Sequence, residues 1–131
     1  MLSDEAVLIE TTVLVDFLRG TDEASDFLDA VRRDTALVCS VVTQAELIVG
    51  ANSRAQLRAI DQLMSRFQIE QITAHDSARS LSWLKKYYHS HGIGYHDCLL
   101  AAVARRLHLA VATLNEKHFR VIPGLRVYRP Y

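Results

Sequence analysis

The sequence predicts an α/β fold in which helices cover both faces of a central, mostly parallel sheet. Three observations carry this expectation. Apolar runs of strand length alternate with segments of helical period along the chain. No tight two-residue hairpin signal joins consecutive strand-like runs, which argues for crossovers between parallel strands. The chain has 131 residues, half of them apolar, which is one domain with a core of useful size.

The elements follow in order. Residues 6–11 read as a buried strand, and 12–20 place Val13, Leu14, Phe17 and Leu18 on a helix face that stops at Gly20. Residues 22–33 form a second helix, acidic at its start and basic at its end, as the helix dipole prefers. Residues 35–39 are strand-like, and Ser40 is suited to cap a helix over 41–51. Residues 53–66 are amphipathic, with Leu57, Ile60, Leu63 and Met64 on one side. Residues 67–73 alternate like a strand, and 75–91 return to helical period through Ala78, Leu81, Leu84 and Tyr88. After Gly92 and Gly94 comes a strongly apolar helix over 96–108, then a strand over 109–114. Pro123-Gly124 reads as a turn before an edge strand over 125–128.

Composition excludes several classes. The longest apolar run, residues 98–104, is far short of the roughly 18–20 residues that span a bilayer. The opening five residues are acidic where a secretory signal is basic, so a cytoplasmic protein is expected. Cys39 and Cys98 sit in apolar runs and read as buried, reduced thiols, with no zinc-site spacing. The formal net charge is zero, but residues 1–29 hold eight acids and one base, so the remainder sums to +7. The six histidines form no same-face pair; His96 and His118 read as helix-start or loop residues.

In parallel sheets, ligands bind at the carboxyl ends of the strands. There the sequence places mostly carboxylates: Glu10 closes the first strand, Glu46 lies in an apolar helix, and Asp97 opens the most apolar helix. Asn115 follows the strand over 109–114. Grouped carboxylates disfavour one another's ionisation, and a hard divalent cation, Mg²⁺ or Mn²⁺, relieves that cost.

Four segments in order resemble the PIN-domain ribonucleases, in particular the VapC-type toxins of bacterial toxin–antitoxin pairs. These are Val7-Leu8-Ile9-Glu10-Thr11-Thr12-Val13-Leu14, Ser40-Val41-Val42-Thr43-Gln44-Ala45-Glu46-Leu47-Ile48-Val49-Gly50, Gly94-Tyr95-His96-Asp97-Cys98-Leu99-Leu100, and Thr113-Leu114-Asn115-Glu116-Lys117-His118-Phe119. The resemblance implies a single PIN-like α/β/α sandwich over residues 1–131 and a Mg²⁺-dependent endoribonuclease, with Mn²⁺ as a substitute. Glu10 and Asp97 would be the principal metal ligands, with Glu46 acting directly or through water and Asn115 filling the fourth position. Thr11 and Thr113 would be supporting hydroxyls, and Asp16 a surface or supporting acid. Arg105, Lys117 and Arg120 are candidates for RNA phosphates. The implied partners are RNA and a VapB-like antitoxin, in a homodimer, heterotetramer or larger complex, with DNA reached only through the antitoxin and no membrane.

The chain departs from the family pattern twice. Glu10 stands where the first acid is normally Asp, and His118 where an Asp often precedes the closing Phe. The extra methylene of Glu10 shifts its carboxylate by roughly 1.5 Å, so the alternative is a catalytically impaired PIN domain that acts by binding its antitoxin. A receiver-like or phosphatase-like α/β protein ranks last, because the contexts of Glu46 and Asp97 do not suit it.

Overall fold

A computed structural model describes residues 6–131; the opening segment, on which the expectation about export rests, lies outside them. The strands are β1 (Val7–Ile9), β2 (Leu37–Ser40), β3 (Phe67–Glu70), β4 (Ala110–Ala112) and β5 (Val127–Tyr128). All pair in parallel, in the order β3-β2-β1-β4-β5. The chain moves outward from β1 to β3, then crosses back to place β4 and β5 on the other side of β1. That reversal puts a crevice at the carboxyl ends of β1 and β4, where Ile9 pairs with Ala112 and the Glu10 N–H donates to the Ala112 carbonyl at 2.9 Å.

Side-chain alternation along β1 divides the core. Val7 and Ile9 join a cluster with Val13, Leu14, Leu28, Leu47, Ile60 and Leu63. These come from helices α1 (Thr11–Leu18), α2 (Asp22–Asp34), α3 (Val41–Gly50) and α4 (Arg54–Met64). Leu8 points the other way, into a cluster with Trp83, Ile93, Leu100, Val103, Val111 and Phe119. That layer is built from α5 (Ala74–His91), α6 (Tyr95–Leu107) and the single-turn α7 (Glu116–Phe119). The expected sandwich is present, and the sheet is wholly parallel. Cys39 and Cys98 are free, buried and in opposite clusters; burial pushes their thiols up to about 12 and about 11.

Local signals explain the element ends. The Ser40 hydroxyl accepts the Val42 N–H at 3.0 Å, as a cap should. Gly92 ends α5 in the left-handed region at φ 68°, which a glycine adopts without steric cost. Residues 98–104 are all buried, so α6 is enclosed on every side and its apolar run is a core helix. The helix α7 has too few residues to show a period in the sequence.

One ion pair joins α5 to α6. Asp76 is fully buried, and both of its oxygens accept from Arg106 Nε at 3.1 Å, with Nη2 adding a bond of 3.0 Å to Oδ2. Asp76 also completes a capping box with Thr73. Arg106 is therefore a structural residue and not the solvated helix end that its Arg-Arg doublet suggests. Burial alone would raise the Asp76 pKa, but the bonds from Arg106 and Thr73 outweigh it and hold the carboxyl below its ordinary range. The resulting stabilisation is complete above the unfolded carboxyl value near ~4 and is lost as pH falls through the lower folded value. Asp76→Asn is expected to cost about 3 kcal/mol at neutral pH. Urea unfolding of the two proteins should show that difference at pH 7 and a shrinking one below roughly pH 4.

Candidate active site

Glu10 is the N-terminal flanking residue of α1, and the Thr12 backbone N–H in the first turn of that helix is among the groups that favour its carboxylate. Only 6% of its surface is exposed. Its Oε1 accepts the Thr12 hydroxyl at 2.5 Å and the Thr113 hydroxyl at 2.6 Å. Thr12 comes from the first turn of α1 and Thr113 from the residue after β4, so two chain segments grip one oxygen. The Thr12 hydroxyl also accepts the Leu114 N–H at 3.0 Å, and Thr113 accepts the Asn115 N–H at 2.9 Å. Burial raises the Glu10 pKa, the hydroxyl bonds oppose it, and the nearby charge of Asp97 adds to the rise.

Glu46 stands one helix away on α3, partly exposed. Its Oε1 accepts the Thr11 hydroxyl at 2.7 Å, and the Thr11 and Thr43 hydroxyls are 3.0 Å apart. His96 Nδ1 lies 3.9 Å from Glu46 Oε2. Asp97 occupies the first turn of α6 and meets His118 Nδ1 at 3.0 Å, while the Asn115 amide lies 2.8 Å from that same nitrogen. The expected site residues Glu10, Thr113, Asp97 and Asn115 thus share the β1–β4 crevice, with Thr11 and Glu46 beside them.

The structure adds two residues that sequence reasoning passed over, Thr12 and Thr43, and gives His118 a partner the sequence did not indicate. Thr12 and Thr43 look like ordinary helix residues in the sequence, and their partners lie up to 102 positions away. The proximity of Thr12 to Glu10 was the one available signal. His118, read as a loop or helix-start residue, is half-buried and bonded to Asp97.

Other candidates stand apart. Arg105 lies in the last turn of α6, about 12 Å along the axis from Asp97. Its guanidinium bonds the Pro123 carbonyl and packs where a side chain at Gly124 would fall. Arg120 pairs with Glu116, and Lys117 is exposed on α7. Asp16 accepts the Tyr131 hydroxyl at 2.9 Å, and Arg129 Nη1 donates to the Leu114 carbonyl at 3.0 Å. The tail therefore straps α1 to the loop that carries Asn115. A cleft of about 320 Å³, lined by Val15, Leu18, Glu46, Leu47, Gln56 and Ile60, opens beside Glu46 between α1, α3 and α4.

Among the described residues, no three His, Cys, Asp or Glu side chains converge closely enough to enclose a metal ion by themselves. Among the described residues, hydroxyls, the Thr12 backbone amide and imidazoles stand beside Glu10, Glu46 and Asp97. An oxygen-rich pair, Glu10 and Asp97, close enough to repel, suits a hard ion that keeps several waters.

The architecture and the order of these residues have known counterparts. The PIN domain family model matches residues 7–125. Ribonuclease VapC10 of Mycobacterium tuberculosis is 36% identical over 121 residues, covering 92% of this chain and 90% of the relative. Ribonuclease VapC19 of the same species is 30% identical over 122 residues, covering 91% and 96%. A toxin-antitoxin complex from Klebsiella pneumoniae contains a chain that superposes with a TM-score of 0.80 at 28% identity, covering 96% of this chain and 98% of that one. The receiver-like and phosphatase-like alternative is thereby set aside: the chain belongs to the PIN-domain family, and within it to the VapC-type members.

Proposed function

We propose that this protein is a metal-dependent endoribonuclease toxin that hydrolyses RNA phosphodiester bonds and is held in check by a VapB-like antitoxin. The observation that carries the reading is the burial of Glu10 at the end of β1, gripped by Thr12 and Thr113 and within electrostatic reach of Asp97. Such a pair is unfavourable until a cation joins it. The names of the VapC relatives support RNA as the substrate, and the Klebsiella complex supports an antitoxin partner.

Glu10 and Asp97 would hold the cation, Mg²⁺ with Mn²⁺ as a substitute, and Glu46 would reach it through water. When bound, the cation stabilises charge growing on the phosphoryl oxygens and acidifies the attacking water. Glu46, steadied by Thr11, orients that water or takes its proton for in-line attack. Thr12 and Thr113 fix the Glu10 carboxylate, so the longer side chain is anchored at one oxygen. Asn115 completes the rim of the site, and Lys117 on α7 and Arg120 just after it offer phosphate contacts, which position a strand without reading its sequence. The cleft beside Glu46 is the seat we assign to an antitoxin segment. Ile60 and Leu47 form its floor, Leu57 is exposed on the same helix as Ile60, and a segment lying there would approach the site. Assembly as a homodimer, or with antitoxin as a heterotetramer or larger complex that meets DNA through the antitoxin, belongs to the same reading.

A second reading, an impaired PIN domain that works mainly by binding its antitoxin, is favoured by one observation. Two hydroxyls already occupy Oε1 of a glutamate that stands in place of the shorter acid.

Three experiments test these readings. RNA cleavage should require a divalent ion, cease in EDTA, and fall by about 100-fold or more in Asp97→Asn, as loss of several kcal/mol of charge stabilisation demands; full cleavage in EDTA would refute the metal-dependent mechanism. Glu10→Asp should increase turnover with Mg²⁺ more than with Mn²⁺, because Mg²⁺ tolerates displaced ligands poorly. No gain with either ion would remove the misplaced-ligand argument and with it the second reading. Glu10→Gln should raise the melting temperature at neutral pH without added metal, since an ionised buried carboxylate opposes folding. Added Mg²⁺ should then raise the melting temperature of the wild type but not of the variant, as measured by calorimetry.

A further inference from the structure

His118 sits on the single-turn helix α7, and its side chain is held by two neighbours. Its Nδ1 is 3.0 Å from Asp97 Oδ2 and 2.8 Å from the Asn115 side-chain amide. The neighbouring Phe119 is fully buried between α6 and the sheet, so the backbone that carries the imidazole is anchored in the core. An ionised carboxylate can only accept, which decides the arrangement of hydrogens: Nδ1 carries one and donates it to Asp97. That nitrogen cannot also accept from an amide NH₂. Asn115 therefore presents its carbonyl to Nδ1, an orientation equivalent in shape to its reverse. Three residues from two distant segments are then joined through one proton, and one of the two Asp97 oxygens is occupied.

We propose that His118 is a positioning residue for Asp97: its Nδ1–H fixes the carboxylate of the first turn of α6 against the loop after β4, and so sets the geometry that Asp97 offers to a cation. The inference rests on the metal-dependent reading above. Its physical basis is the narrow geometry that Mg²⁺ requires and the dependence of ligating carboxylates on the hydrogen bonds that orient them. An acid at this position would meet Asp97 with repulsion; the imidazole meets it with a donor. Asp97 is partly buried at its helix start, and the His118 contact at 3.0 Å restricts its rotamer.

The test compares His118→Asn, which keeps an N–H donor near the place of Nδ1, with His118→Leu, which removes it. Binding of Mn²⁺ alone is measured by calorimetry, and nitrogen NMR of the metal-free wild type reports which ring nitrogen carries the hydrogen. The expected results are a hydrogen on Nδ1, Mn²⁺ affinity about 10–100-fold weaker in His118→Leu, and substantial recovery in His118→Asn. Calorimetric melting of both variants identifies any loss of fold, and His118→Asn keeps the test valid if His118→Leu does not fold. Wild-type affinity in His118→Leu, affinity in His118→Asn as weak as in a folded His118→Leu, or a hydrogen on Nε2 alone would overturn the inference. Failure of the wild type to bind Mn²⁺ would overturn the metal-dependent reading as well, which separates the two failures.

Discussion

A carboxylate placed at the end of a fully buried strand must be solvated by the protein, because bulk water does not reach it. The rest of the crevice is arranged around that constraint at Glu10. Two threonine hydroxyls, one from the helix after β1 and one from the end of β4, supply the bonds that water would otherwise provide. The same hydroxyls accept backbone N–H groups from the loop after β4, so they also fix the path of that loop. Solvating one acid and shaping the site are a single set of contacts.

These contacts depend on the sheet topology. Parallel pairing of β1 with β4 aligns their carboxyl ends, and the reversal of strand order leaves space above them. The small residues of α6 let that helix pack closely from all sides, which carries Asp97 to the rim of the crevice. At the opposite end of α6, the Asp76–Arg106 pair ties it to α5. The helix is held at both ends, by an ion pair at one and by His118 at the other. Fixed placement of Asp97 follows from both.

Much of the architecture is legible in the sequence because its determinants are local. Buried strands appear as short apolar runs, amphipathic helices as a period, and ends as Ser40, Gly92 and Gly94. The acids at the strand ends stand out for the same reason, since a Glu directly after Val-Leu-Ile is conspicuous. The short helix α7 is not legible, because four residues cannot display a period. The structural role of Arg106 is hidden in a doublet that resembles any solvated helix end. Net charge is the least informative quantity: zero overall conceals an acidic opening segment, a basic remainder, and site carboxylates whose effect depends on their neighbours.

The sequence by itself determined the α/β class, the order of the elements longer than one turn, the ends at Ser40 and Gly92, and the placement of the acids Glu10, Glu46 and Asp97 beside strand ends. Each of these depends on residues a few positions apart, so hydrophobic period, capping and motif spacing are enough to express them. Thr11 and Thr113 were expected as supporting hydroxyls, but only the tertiary structure decided which acid each serves, Thr113 with Thr12 on Glu10 and Thr11 on Glu46, and brought His118 to Asp97. A hydroxyl or an imidazole has the same local signature whether it faces water or a carboxylate. Apart from Thr12, which stands two positions from Glu10, each partner is chosen when the fold brings together segments that are 21 to 103 residues apart in the chain.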